Sequence, residues 1–434
     1  MMRVVYNVGI YIYFIISSPY YIFSLFTREK YRAGFRSRLG FIPKKIVKQV
    51  KGRKSIWFHA VSVGEVLAVL PLIELTKQVF PQYHIVLSTT TMTSNILARN
   101  DERTGDISVV YFPLDFPWAV KKFMSVIHPQ LIVLTETEIW PNFLACAASR
   151  NIPVILANGR ISPNSFKHYI LIKDFFKEVV KDIALFGMQS EEYSQRIIAL
   201  GAPSERVVVT GNLKYDAMKK IDTLGDGNNA LRKMLNIPDD ACVLVGGSTH
   251  PGEDEILIDI YTRLKTQHKK LTLIIAPRHI ERAQSIKNYA IEKATKVILK
   301  TNIASQDNTI YDIIILDTIG ELSKIYSISD IVFVGKSLVV GGGQNILEPA
   351  FYGNVVVYGP LMDNFKEEAA ELLQGDGSVQ VKDKDELENL FHSLLADSER
   401  MKVLGKNAAR IVEQYRGGIL DKNITLIKNM LEKR

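Results

Sequence analysis

Cysteine is scarce: Cys146 and Cys242 are the two in 434 residues. That excludes a disulfide framework and a multi-cysteine metal site, and it suits a reducing compartment. The chain also lacks a Gly-x-x-x-x-Gly-Lys-Ser/Thr loop and a Gly-x-Gly-x-x-Gly turn after a strand. These absences argue against a P-loop enzyme and a nicotinamide dehydrogenase. His59, His250 and His279 lie in separate segments without metal-ligand spacing. Asp383-Lys384-Asp385 matches a metal-binding Asp-x-Asp, but it precedes a helical pattern and reads as a helix N-cap. No short internal repeat is evident. Hydrophobic residues make up 47% and charged residues 23%, ordinary for a globular chain, so the bulk is not disordered. At about 100–200 residues per domain, two or three domains are expected.

Residues 4–26 carry no charged side chain. At about 1.5 Å per residue this run can span a hydrocarbon core of about 30 Å. It is rich in tyrosine and holds Asn7 and Pro19. A retained membrane anchor is the expectation, ahead of a cleaved signal peptide or a buried helix. Residues 28–54 then hold eleven Lys/Arg and one acid, Glu29, whereas only Arg3 precedes the apolar run. This places the remainder of the chain in the cytoplasm. The basic block is either a topology signal alone or a surface that also attracts an anionic lipid. The net charge of +8 is modest, and a basic run directly after an apolar anchor argues against nucleic acid.

Beyond residue 54, short Val/Ile/Leu runs alternate with amphipathic stretches. Strands are expected at 55–61, 84–88, 109–112, 131–135, 154–157, 183–188 and 207–210. After a Gly/Asp/Asn-rich linker, a second series follows at 242–246, 273–276, 296–299, 313–316, 331–334, 355–358 and 379–381. Continuous apolar runs read as strands buried on both faces, and their alternation with helices implies parallel βαβ units. The fold class is α/β, with two doubly wound, Rossmann-like domains facing a cleft and an N-terminal membrane anchor. Residues 408–433 have helical spacing and are expected to pack back across the domains.

Ligands of such sheets bind beyond the carboxyl ends of the strands. Glu65 follows the first strand through Ser62-Val63-Gly64 and opens a helix. It is either a capping acid or a general base, and the helix dipole favours its ionised form. Glu136 and Glu138 follow the fourth run, as exposed turn acids or as site acids. Lys214 lies at the domain junction, able to neutralise an anion or to serve as a solvated hinge residue. In the second domain, Pro277-Arg278-His279 offers a bidentate phosphate contact. Ile319-Gly320-Glu321 allows close approach of a ligand. Gly341-Gly342-Gly343 leads toward Asn345-Ile346-Leu347-Glu348, and Glu348 could accept ribose hydroxyls. Gly247-Ser248-Thr249 either binds an anion or caps the next helix. Together the second-domain clusters describe a nucleotide site.

These residues resemble the 3-deoxy-D-manno-octulosonic acid (Kdo) transferases of lipopolysaccharide assembly. The resemblance runs through nearly the whole chain. It includes Arg36–Gly40 as residues 36–40, His59-Ala60-Val61-Ser62-Val63-Gly64-Glu65, Ser88-Thr89-Thr90-Thr91 and Tyr111-Phe112-Pro113-Leu114-Asp115. It continues in Glu136-Thr137-Glu138-Ile139-Trp140-Pro141, Asn158-Gly159-Arg160-Ile161-Ser162, Gly211-Asn212-Leu213-Lys214 and the second-domain clusters. It implies an inverting GT-B glycosyltransferase with CMP-β-Kdo as donor. The implied acceptor is a tetraacylated lipid A precursor at the inner membrane, whose anionic surface the basic segment would meet. Glu65 is implied as general base, with Glu136 and Lys214 assisting the transition state. Pro277, Arg278, Ile319, Gly320, Glu321, Asn345, Ile346, Leu347 and Glu348 are implied to hold CMP. No metal or cofactor is required. The expected organisation is an anchor over 1–27, a basic membrane-surface segment over 28–54 and an acceptor-binding domain over 55–215. A linker over 216–229, a CMP-Kdo-binding domain over 230–407 and a C-terminal helix over 408–434 follow. The rival readings are a nucleotide-sugar epimerase of the same fold and a non-catalytic, membrane-anchored nucleotide-binding protein.

Overall fold

The computed structural model describes residues 2–27, 32–216, 226–293, 295–303 and 309–432. Arg28, Glu29 and Lys30 of the basic block, and residues 217–225 of the expected linker, lie outside the described residues. The chain forms two compact units, Met1–Ala217 with Gly417–Arg434, and Met218–Arg416.

The first unit holds β1 (Ser55–His59), β2 (His84–Thr89), β3 (Ser108–Tyr111), β4 (Pro129–Thr135), β5 (Val154–Gly159), β6 (Leu185–Met188) and β7 (Val207–Val209). They form one parallel sheet in the order β3-β2-β1-β4-β5-β6-β7. The second unit holds β8 (Cys242–Thr249), β9 (Leu271–Pro277), β10 (Val297–Leu299), β11 (Ile313–Ile315), β12 (Ile331–Val334), β13 (Val355–Tyr358) and β14 (Ser378–Gln380). Its parallel sheet runs β10-β11-β9-β8-β12-β13-β14. Every expected apolar run is a strand, displaced by a few residues at its ends. The central strands are buried on both faces because helices cover both sides. In the first core, Trp57 packs against Phe112, Phe123 and Phe143, and its indole N–H donates to Ser88 Oγ at 2.8 Å.

The helix Met2–Thr27 docks on the first unit. Tyr6 Oη donates to Asp115 Oδ2 at 2.9 Å, and Asn142 Nδ2 donates to Asn7 Oδ1 at 2.6 Å. Tyr11 and Phe14 pack on Phe116. Docking therefore uses the polar residues that weaken this segment as a membrane span. No helix among the described residues is long and apolar enough to cross a membrane. The opposite face is exposed and apolar, with Ile15 at 68% and Ile16 at 74% exposure.

Burial pushes the Asp115 carboxyl up to about 6, against the pull of the Asn142 N–H, the Tyr6 hydroxyl and the Phe143 N–H. A carboxyl raised on folding contributes stability below its ordinary value of 3.8 and loses it as pH rises through about 6. Tyr6→Phe removes one donor to the ionised form, so the loss should continue to higher pH. Urea midpoints from pH 4 to 8 test this, and a difference between variant and parent that stays flat with pH would refute it.

Three expectations change. Residues 226–229 are not linker but the first turn of the helix Asp226–Met234. The single helix expected over 408–434 is two, Ser398–Tyr415 and Ile419–Glu432, which belong to different units. The glycines 341–343 do not open a helix. Gly342 and Gly343 have φ of 120° and 69°, and the next helix is the short Leu347–Phe351. By contrast, Asp383 caps its helix, accepting from Asp385 N and Glu386 N.

Candidate active site

In a doubly wound sheet the ligand crevice lies where the strand order reverses. In the first sheet that is between β1 and β4. After β1 the chain turns at Ser62 and enters the helix Val63–Val79. Ser62 Oγ accepts from Glu65 N at 3.3 Å, and the Glu65 carboxylate accepts from Val61 N at 2.9 Å and Ser62 N at 3.2 Å. This reciprocal pair is a capping box. Thr135 Oγ1, at the end of β4, lies 3.0 Å from Glu65 Oε2 and 2.8 Å from the His59 carbonyl. Glu65 is 8% exposed. Its Oε1 receives only the Ser62 N–H among these contacts, which leaves a lone pair for a substrate hydroxyl.

Glu136 follows β4 in a left-handed conformation, φ 53°. A non-glycine residue held there costs on the order of 1 kcal/mol and marks a position fixed by its surroundings. Arg160, after β5, donates through Nε to Glu136 Oε2 at 3.0 Å. Burial raises the Glu136 carboxyl above its ordinary value, Arg160 opposes this, the Glu65 charge adds to it and Lys214 opposes it. Glu65, Glu136, Arg160 and Lys214 therefore share one electrostatic environment, although they come from four strand ends.

Lys214 sits on the turn Leu213–Asp216. Asn158 Oδ1 accepts from Leu213 N at 2.9 Å, and Asn212 Oδ1 accepts from Lys214 N at 3.0 Å. The Asp216 carboxylate accepts from Gly417 N, Ile419 N and Leu420 N at 2.7, 2.9 and 3.0 Å. It caps the returning helix Ile419–Glu432, which packs on the Leu213–Asp216 turn and on the helix that carries Glu65. His59 is fully buried, stacked on Phe112, with Nε2 3.8 Å from Glu138 Oε2. Glu138 also accepts from the Trp140 indole at 2.9 Å.

In the second unit the expected nucleotide residues fall at three strand ends. Pro277 ends β9 and is buried, whereas Arg278 is exposed, its N–H donating to Thr249 O at 3.0 Å. Ile319 is 83% exposed, and Gly320 adopts φ 87° with open space at its Cβ position. Glu321 accepts from Lys300 Nζ at 2.9 Å and from the Thr318 hydroxyl. Burial works to raise its carboxyl, but Thr318 and Lys300 hold it below the usual range. Asn345 is exposed and its Oδ1 accepts from Leu347 N at 3.0 Å. Ile346 and Leu347 are core residues, so they can meet a ligand only through their backbone. Burial raises the Glu348 carboxyl, and a hydrogen bond from Ser323 opposes this. Among the described residues no three His, Cys, Asp or Glu side chains gather as a metal site.

Thr135, Asp216 and Glu253 escaped sequence reasoning. Thr135 looks like the last residue of a strand, and Asp216 finds its partners about 200 residues away along the chain. Glu253 looks like one of three acids at a helix start. Its carboxylate instead accepts from His250, Lys336, Ser337 and Leu338 N–H groups at 2.9, 2.8, 3.0 and 3.1 Å. It ties the end of β8 to the end of β12.

A family described as "3-Deoxy-D-manno-octulosonic-acid transferase (kdotransferase)" matches residues 33–217. A 3-deoxy-D-manno-octulosonic acid transferase of Haemophilus influenzae is 33% identical over 411 residues, 93% of this chain and 93% of that protein. Its namesake from Rickettsia prowazekii is 31% identical, covering 87% of this chain and 80% of that one. Among solved structures, a UDP-GlcNAc 2-epimerase from Neisseria meningitidis aligns with a TM-score of 0.58 at 14% identity, over 88% of this chain and all of that one. That likeness is one of fold. The identity carried along almost the full length makes this glycosyltransferase a member of the 3-deoxy-D-manno-octulosonic acid transferase family.

Proposed function

We propose that the protein transfers Kdo from CMP-β-Kdo, with inversion, to the tetraacylated lipid A precursor at the cytoplasmic face of the inner membrane. The observation that carries this reading is the placement of Glu65 and Glu136 at the switch point of the first sheet, with Thr135 Oγ1 3.0 Å from Glu65 and Arg160 Nε 3.0 Å from Glu136. Glu65 takes the proton of the acceptor hydroxyl as that oxygen attacks the anomeric carbon. The bond from this carbon to the phosphate oxygen breaks, and CMP leaves with the bonding pair. Positive charge builds on the sugar ring in the transition state; the Glu136 carboxylate offsets it, and Lys214 favours the ionised form of Glu136. Arg278 takes the leaving phosphate, and Asn345 and Glu348 meet the nucleoside. The segments 319–321 and 345–348 and the backbone at Pro277 complete the CMP site.

The docked N-terminal helix supports a membrane-surface location. Its exposed apolar face lies beside a basic segment, a combination that binds an anionic interface without crossing it. Ile15→Asp with Ile16→Asp should weaken sedimentation with anionic phospholipid vesicles by about tenfold or more. Unchanged sedimentation would refute the location. The activity is tested by incubating the protein with the lipid A precursor and CMP-Kdo made in situ, then reading product masses. Each added Kdo supports the transfer, and unmodified lipid overturns it.

A further inference from the structure

If the donor is CMP-Kdo, as proposed above, its anomeric carbon carries two anions, the leaving phosphate and the carboxylate of the sugar acid. The structure offers Arg278 for one. The switch point of the second sheet lies between β8 and β12. Just beyond these strands, Ser248 and Lys336 adopt left-handed backbones, φ 53° and 60°. Neither is the glycine or asparagine that tolerates this region, so the surrounding structure holds them there. The fully buried Glu253 does so, through the four N–H bonds that join the two loops.

The side chain of Lys336 then lies over Gly342, with Nζ 3.3 Å from the position a Cβ would take. Asn364 Nδ2 lies 2.8 Å from the same point. The glycine is what leaves this space open. His250 sits beside the loop, its Nε2 3.5 Å from Gln344 Nε2 and its ring 5.9 Å from that of His279. Burial lowers its pKa, Glu253 raises it, and Lys336, His279 and Arg278 each lower it, so the Lys336 ammonium and the Arg278 guanidinium act on one place. Among the described residues neither Lys336 nor Arg278 has a side-chain ion pair. The exposed Asp363 carboxylate lies 3.9 Å from the Cβ position of Gly341, and the Glu253 carboxylate is engaged by its backbone donors. Gathered like charges disfavour one another until an anion joins them.

We propose that Lys336, with His250, forms a second anion subsite beside Arg278 that binds the carboxylate of the donor's sugar acid. The phosphate stays with Arg278.

The full-length protein is assayed with CMP-Kdo made in situ and the lipid A precursor, and CMP serves as a competitive inhibitor that has the phosphate but no carboxylate. Lys336→Met should raise the donor KM about 10- to 100-fold, while the Ki of CMP stays within about twofold. The preserved Ki reports an intact domain. Lys336→Arg should recover most of the affinity, and Arg278→Met should raise both constants. An equal rise of KM and Ki in Lys336→Met would put the lysine on the phosphate, and no change in either would leave it outside the site. Both overturn the subsite while leaving the transferase reading intact. Failure of the unsubstituted protein to transfer Kdo overturns that reading and the subsite with it.

Discussion

Glu65→Gln should lower kcat for Kdo transfer by about 10²- to 10⁴-fold, the range a positioned general base contributes. The substitution keeps the size of the side chain and one acceptor oxygen but removes the proton acceptor. Glu65 also caps its helix through Val61 and Ser62, so a stability cost of about 1 kcal/mol accompanies the change. The two effects separate cleanly. The denaturation midpoint moves slightly, the Ki of CMP is unchanged because the proposed CMP site lies in the other domain, and the rate collapses. A fall in kcat of less than about tenfold would leave Glu65 as a cap alone.

Glu253→Ala should destabilise the second domain by about 3 kcal/mol or more and abolish CMP binding. The alanine strands four backbone N–H groups from two loops, and each buried donor left unpaired costs about 1–3 kcal/mol. Lys336 and Ser248 would then lose the support that holds them in left-handed conformations. The readout is built into the chain. The three tryptophans, Trp57, Trp118 and Trp140, all lie in the first domain. The tryptophan fluorescence transition in urea should therefore stay where it is, while far-UV circular dichroism gains an earlier transition. Coincident and unshifted transitions would show that Glu253 is dispensable.

Much of this architecture was legible in the residues. The central strands are unbroken Val/Ile/Leu runs, and burial on both faces of a parallel sheet requires that pattern. Glu65 and Glu136 were legible because polar residues directly after such runs mark the ends of strands, where ligands bind. Groups that act through distant partners were not. Glu253 meets Ser337 across 84 residues of chain, and nothing local distinguishes it from Asp254 and Glu255. Tyr6 and Asn7 look like defects in an apolar span, and their meaning appears only when Asp115 and Asn142 arrive from over 100 residues away. The triple glycine suggested a helix start because small residues often precede one. The missing Cβ of Gly342 instead leaves room for Lys336, and the helix begins only after Asn345, whose Oδ1 accepts from Leu347 N.

The helix Ile419–Glu432 has a consequence for how the protein is made. It is the final layer of the first domain, held by Asp216 against the turn that carries Lys214 and the helix that carries Glu65. Yet the ribosome releases it only after every residue of the second domain. The first sheet must therefore wait, with the surface under that helix bare, throughout synthesis of the second domain, at about 5–20 residues per second. A stalled or truncated nascent chain that contains the complete second domain would still have an unfinished first domain. Glu65 and Lys214 are thus fully supported only after the whole second domain has been synthesised.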